Sequence, residues 1–139
     1  LSRTEASRSH TATPRPFWPQ TPPMGWRSWN LYGANVNQKL IEGIMDGMIK
    51  RDRLVDGKPT SLCDLGYCDV GLDDNWQACG AGVNGSFHDA DGHPLVNKKL
   101  FPDMKSMVDY GHAKGVQMGW FVQLLLPCLA TSQCTLCSR

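Results

Sequence analysis

The sequence predicts an α/β fold built on a parallel sheet. Three observations carry this expectation. Segments with strand and helix character alternate in the order strand, helix, strand, helix, strand. The two helical segments repeat apolar residues at i, i+3, i+4 and i+7, whereas the strand segments are short. Acids and aromatics gather at the C-terminal ends of the first two strands, the end at which a β/α barrel carries its active site. No Gly-rich phosphate loop joins a strand to a helix, so a dinucleotide-binding fold has no support.

Each element has a local reason. Residues 1–20 are polar, hold three prolines and show no period, so they read as a flexible arm anchored at most by Trp18. After Thr21-Pro22-Pro23, the run Met24 to Asn30 reads as a short strand with aromatics near its end. Asn37 is a helix N-cap, with Val36 and Ile41 placed as a hydrophobic staple. Leu40, Ile41, Ile44, Met45, Met48 and Ile49 then form one apolar face, whose methionines suit core filling. Gly43 and Gly47 each weaken this helix by roughly 1 kcal/mol relative to Ala, so packing must hold it.

Arg51 to Asp64 reads as a polar connection with Asp56-Gly57 and Pro59 as turn signals. The second strand runs from Tyr67 to Leu72, and a Gly-rich loop follows from Gln77 to Lys99. Within it, His88-Asp89-Ala90-Asp91-Gly92 lacks the later ligands of a calcium loop. It reads as a plain turn with His88 and His93 in solvent, and no metal is assigned. Phe101-Pro102-Asp103 opens the second helix, with Asp103 in its first turn, where negative charge suits the dipole. Met104, Met107, Val108 and Gly111 form its face, and Gly115 ends it. The third strand, Val116 to Val122, alternates Val116, Met118 and Trp120 with Gln117, Gly119 and Phe121.

Composition bounds the function. The 139 residues are 41% hydrophobic and 19% charged, enough to bury one core. A net charge of +1 gives no reason to expect nucleic acid or an anionic membrane as a partner. The apolar run from Trp120 to Ala130 is interrupted by Gln123 and Pro127 and falls short of the ~20 residues that span a bilayer. Six cysteines and one Asn-Gly-Ser sequon at Asn84 lean toward an oxidising, exported setting, and spacing leaves the cysteine pairing open. Cys134-x-x-Cys137, with Cys128 nearby, has the spacing of half a zinc site but no evident fourth ligand; disulfides or free thiols are the plainer reading.

Leu72-Asp73-Asp74-Asn75-Trp76 is the candidate site. Two carboxylates can accept hydrogen bonds from sugar hydroxyls, and an indole can stack on a sugar's C–H face. The alternative is an acidic turn that ends a strand.

The motifs together resemble the α-galactosidases of glycoside hydrolase family 27, the melibiase family. Pro22-Pro23-Met24-Gly25-Trp26-x-Ser28-Trp29-Asn30 resembles the opening strand of that family. Asp64-Leu65-Gly66-Tyr67-x-x-Val70-x-Leu72-Asp73-Asp74-x-Trp76 resembles its second strand. Asp91-Gly92, Leu100-Phe101-Pro102 and His112-x-Lys114-Gly115-Val116-x-Met118-Gly119 follow in family order. The resemblance implies that residues 21–121 are roughly the first three units of a (β/α)8 barrel, incomplete as they stand. It implies retaining hydrolysis of terminal α-D-galactosides without a cofactor. Trp29 would line the galactose pocket, and Asp73 and Asp74 would hold O6 and O4. A secreted, lysosomal or vacuolar setting and homodimeric full-length relatives are further expectations of the resemblance.

Departures from the family pattern limit what is carried over. The third strand has Gly119-Trp120-Phe121 where the family has Gly-x-Tyr. Two family cysteines, one after the first strand and one after the twin acids, correspond to Ala34 and Asn75. After Phe121 the match stops, and no residue corresponds to the Lys-x-Asp nucleophile or the later acid/base, so no catalytic residue is assigned. Residues 122–139 read as a divergent tail, consistent with intron read-through or a frameshift. The expectation is therefore a segment inactive on its own, and the alternative is a non-catalytic galactose-binding remnant.

Overall fold

The computed structural model describes residues 22–121. The arm 1–20 with Trp18, and the tail 122–139 with Cys128, Cys134 and Cys137, lie outside the described residues. The elements are β1 (Gly25–Arg27), α1 (Trp29–Tyr32), α2 (Gln38–Ile49), β2 (Arg53–Val55), β3 (Lys58–Thr60), β4 (Asp69–Leu72), α3 (Met104–Ala113) and β5 (Gln117–Trp120). Short 3-10 turns occupy Cys63–Leu65 and Val83–Gly85.

A parallel sheet in the order β1-β4-β5 forms the frame, with Trp26, Val70 and Met118 in register across it. The alternation of strands and helices along the chain is observed, with α2 and α3 as the two crossovers. Parallel neighbours need such connections, because a tight turn cannot return the chain to the same end. Ile41, Met45 and Met48 of α2 and Met107 of α3 are buried with Val70, Leu72 and Val116 in one core. Helical and strand periods thus deliver their apolar faces to the same layer. At Gly111 a Cβ would stand 3.2 Å from the Met45 Sδ, so glycine lets the two helices approach closely.

Capping explains where the helices start and stop. The Asn37 Oδ1 accepts a hydrogen bond from the Leu40 amide at 2.9 Å, and both members of the staple, Val36 and Ile41, are buried. Asp103 proves to be the cap of α3, accepting from the Ser106 amide at 2.9 Å, one step outside the first turn expected for it. Gln38 ties the two helix starts together: its Oε1 accepts from the Asp103 amide at 2.9 Å, and its amide donates to the Leu100 carbonyl at 2.9 Å. At the far end of α3, Val116 and Gly115 donate to the carbonyls of Gly111 and His112 at 2.9 and 3.0 Å, a Schellman motif with Gly115 at φ 77°.

The polar connection after α2 contains more structure than expected. Arg53–Val55 and Lys58–Thr60 pair as an antiparallel hairpin around Asp56 and Gly57, both with positive φ. Its strands are exposed and so carry no burial pattern to read. The hairpin is closed at its base by Arg51, whose Nε and Nη2 donate to the two oxygens of Asp64, each at 2.7 Å. Asp64 also accepts from the Ser61 amide at 2.9 Å and donates its own amide to the Ser61 Oγ at 3.1 Å, a capping-box exchange. A Cys63–Cys68 disulfide links the following turn to the residue before β4, which itself begins at Asp69, two residues later than expected.

The helix pair carries an acid-sensitive contact on its surface. The Tyr110 hydroxyl donates to the Asp46 carboxylate at 2.8 Å, and the Lys114 Nζ lies 2.9 Å from it and over the Tyr110 ring. Hydrogen bonding from Lys114, then from Tyr110, holds the Asp46 carboxyl below its ordinary value. Arg51, then Ser61, does the same for Asp64. A depressed carboxyl contributes stability that is present above the unfolded value of ~3.9 and lost as pH falls through the folded value. Asp46→Asn is therefore expected to flatten the fall in urea midpoint below about pH 4. Parallel midpoint-versus-pH curves for the two proteins would refute this linkage. The effect is expected to be modest, because exposed pairs are worth little.

Candidate functional site

The C-terminal ends of β1 and β4 are adjacent, and one residue fastens them. Ser28, fully buried, donates its amide to the Gly71 carbonyl at 3.1 Å, extending the parallel ladder beyond β1. Its Oγ accepts a hydrogen bond from the Asp73 amide at 2.9 Å. The first residue of the twin-acid turn is thereby held against the residue that precedes Trp29. In the sequence Ser28 is one letter of a motif; its burial and its partner come from the neighbouring strand.

Beyond Asp73 the turn is built by the acids themselves. The Asp73 Oδ1 accepts from the Asp74 amide at 2.8 Å, and the Asp74 Oδ1 accepts from the Asn75 amide at 2.6 Å. Each acid is half-buried and, among the described residues, keeps its Oδ2 unbonded. One carboxylate oxygen thus shapes the turn, and the other can accept from a ligand. The expected pattern of an acidic turn and the expected sugar-binding pattern are physically compatible here.

Asn75 adopts φ 73°, and its Nδ2 donates to the Ala34 carbonyl. A side-chain-to-backbone hydrogen bond therefore joins the loop after β1 to the turn after β4. Short polar side chains tolerate the left-handed region, which lets Asn75 both turn the chain and reach Ala34.

Two expectations about aromatics are corrected. Trp29 does not end a strand: β1 stops at Arg27, and Trp29 opens the helical turn α1, 41% exposed. Trp76 cannot stack on a ligand, because it is 2% exposed and its Nε1 donates to the Phe121 carbonyl at 2.7 Å. Its ring meets Trp120 edge-on, with centroids 6.3 Å apart. The Phe121 amide donates to the Leu72 carbonyl at 2.9 Å, so Trp76 locks the end of β5 to the end of β4. Trp120 and Phe121 remain about half exposed, and β5 is an edge strand among the described residues.

The long loop that leaves this end is internally fastened. Isolated bridges pair Gln77 with Val96 and His88 with Pro94. His88 is 7% exposed, not solvated as the sequence suggested, because its main chain closes the loop on Val83 and Ser86. His93 is exposed. Asp89, Asp91 and His93 lie close together, yet the Asp89 Oδ1 already accepts the amides of Asp91 and His93 at 3.0 and 2.8 Å. The Gly92 amide donates to the Asp89 carbonyl at 3.1 Å, which closes the turn. No helix among the described residues is long and apolar enough to cross a membrane.

A three-stranded parallel sheet with its crossover helices defines the class: an α/β segment with Ser28 and the Asp73–Asp74 turn at the C-terminal edge of the sheet. An α-galactosidase of Cyamopsis tetragonoloba is 37% identical over 101 residues, covering 72% of this chain and 21% of that protein. An α-galactosidase A of Cellvibrio japonicus is 35% identical over 101 residues, with the same two coverages. The solved structure of α-galactosidase I from Mortierella vinacea superposes with a TM-score of 0.56 at 32% identity, covering 72% of this chain and 21% of that one. No family-wide sequence profile matches the chain. The chain belongs with the α-galactosidases, of the glycoside hydrolase family 27 type, and spans about a fifth of the length of the curated relatives it matches.

Proposed function

We propose that this segment supplies the sugar-holding half of an α-galactosidase site, as the first roughly three units of a (β/α)8 barrel. The observation that carries this reading is the Ser28–Asp73 hydrogen bond at the shared C-terminal edge of β1 and β4. It brings the twin-acid turn beside Trp29 at the end where a barrel binds its substrate. In this reading Asp73 and Asp74 accept hydroxyl hydrogen bonds from O6 and O4 of a terminal galactose, and Trp29 lines the pocket.

These acids hold the sugar without cleaving it. Retaining hydrolysis needs a nucleophile and an acid/base about 5 Å apart on opposite sides of the scissile bond. Asp73 and Asp74 are consecutive and leave one turn, so both approach from the same side. Within the 139 residues nothing corresponds to the Lys-x-Asp nucleophile. In the whole enzyme, hydrolysis of terminal α-D-galactosides would proceed with the remaining groups. The Cys63–Cys68 disulfide supports an exported or lysosomal-type setting.

The test is a graft. Residues 22–121 placed in the Cyamopsis enzyme, in exchange for its matching residues, are expected to retain hydrolysis of an aryl α-galactoside. The 139-residue chain by itself is expected to give none. A graft that folds but does not turn over would overturn the sugar-holding assignment, and turnover by the chain alone would overturn the division of labour.

A further inference from the structure

We propose that Asn84 is an acceptor for N-linked glycosylation, a modification site at the tip of the loop that follows the candidate site. Asn84-Gly85-Ser86 is the one Asn-x-Ser/Thr triplet in the sequence. The structure puts it where an acceptor must be. Asn84 and Gly85 are exposed, and the Asn84 side chain makes no hydrogen bond among the described residues. The carboxamide is therefore free at the tip of a hydrogen-bonded turn.

That backbone is held independently of the carboxamide. Gly82 donates to the Ser86 carbonyl at 2.9 Å, and Gly85 and Ser86 donate to the Gly82 and Val83 carbonyls, both at 3.1 Å. The Val83 amide reaches the carbonyl of buried His88 at 2.9 Å. Asn84 sits at φ 54° and ψ 31°, the left-handed region that Asn tolerates, which turns its side chain out of the loop. The Ser86 hydroxyl stays within the turn, 3.2 Å from both the amide and the carbonyl of His88. A bulky polar group can thus be added without displacing a packed side chain, at a loop tip of the kind that tolerates insertion. It would also cover Val83, an apolar residue left half exposed beside it.

The chemistry requires a lipid-pyrophosphate-linked oligosaccharide as donor. The Asn84 amide nitrogen forms a bond to the sugar C1, the C1–O bond to the pyrophosphate breaks, the nitrogen releases one proton, and the lipid pyrophosphate leaves. The Cys63–Cys68 disulfide fits the oxidising compartment in which such donors are used.

The experiment is translation of the full 139-residue chain, behind a cleavable export leader, with endoplasmic-reticulum microsomes. The protease-protected chain is expected to show a single discrete mobility shift, removed by peptide N-glycanase with conversion of Asn84 to Asp. Asn84→Gln and Ser86→Ala are expected to abolish the shift, and Ser86→Thr to keep it. Because transfer accompanies translocation, the readout does not depend on how stably any variant folds. A protected chain that stays unmodified, or a shift that survives Asn84→Gln, would overturn the proposal.

Discussion

In the grafted enzyme, Asp74→Asn is expected to lower kcat/KM for an aryl α-galactoside by about 10- to 150-fold for each hydroxyl hydrogen bond lost. The range converts the ~1.5–3 kcal/mol of a hydrogen bond to a charged group. The substitution is conservative in shape. An Asn Oδ1 can still accept from the Asn75 amide, the bond that Asp74 makes at 2.6 Å, so the turn is preserved while the charge is removed. The loss should therefore appear without a change in thermal midpoint. Near-normal kinetics in a normally folded graft would show that Asp74 does not contact the sugar. Asp73→Asn carries the same expectation, since the Oδ1 of either side chain can receive the Asp74 amide.

The second large effect concerns the fold. Phe101→Ala is expected to cost about 3–5 kcal/mol, the usual range for emptying a buried aromatic site. Phe101 is fully buried, its amide donates to the Asn97 carbonyl at 2.8 Å, and it stands two residues before the Asp103 cap of α3. It therefore anchors the point where the long loop rejoins the core. Small domains hold only about 5–15 kcal/mol in total, so this one change consumes much of what is available. Urea unfolding followed by circular dichroism should show the loss as a fall in midpoint, partly restored in Phe101→Leu. A midpoint within error of the parent protein would mean that the loop return is not anchored there.

Much of the frame was legible in the sequence. The apolar period of α2, its Asn37 cap and the Val36–Ile41 staple reappear in place, because helix periodicity and capping are local physics. The same holds for the Gly115 terminus of α3 and for the parallel order of strands. The β2–β3 hairpin was not legible: both strands are exposed, so no alternation marks them, and only the Asp56-Gly57 turn signalled it. The burial of Trp76 was not legible for a different reason. An indole after a strand can face a ligand or the core, and the choice depends on the carbonyl of Phe121, the residue after β5, which lies far along the chain.

The candidate site divides in the same way. Asp73 and Asp74 stood out as residue types, because adjacent carboxylates at a strand end are chemically conspicuous. By itself the sequence determined the α/β order, the helix caps and the position of the acids, since each depends on residues within a few positions of one another. Only the tertiary structure decided which aromatic is buried, that Ser28 holds the acid turn, and that Asn75 reaches Ala34. Those are contacts between residues 41 to 45 positions apart, and they exist only once parallel pairing has brought the ends of β1, β4 and β5 together.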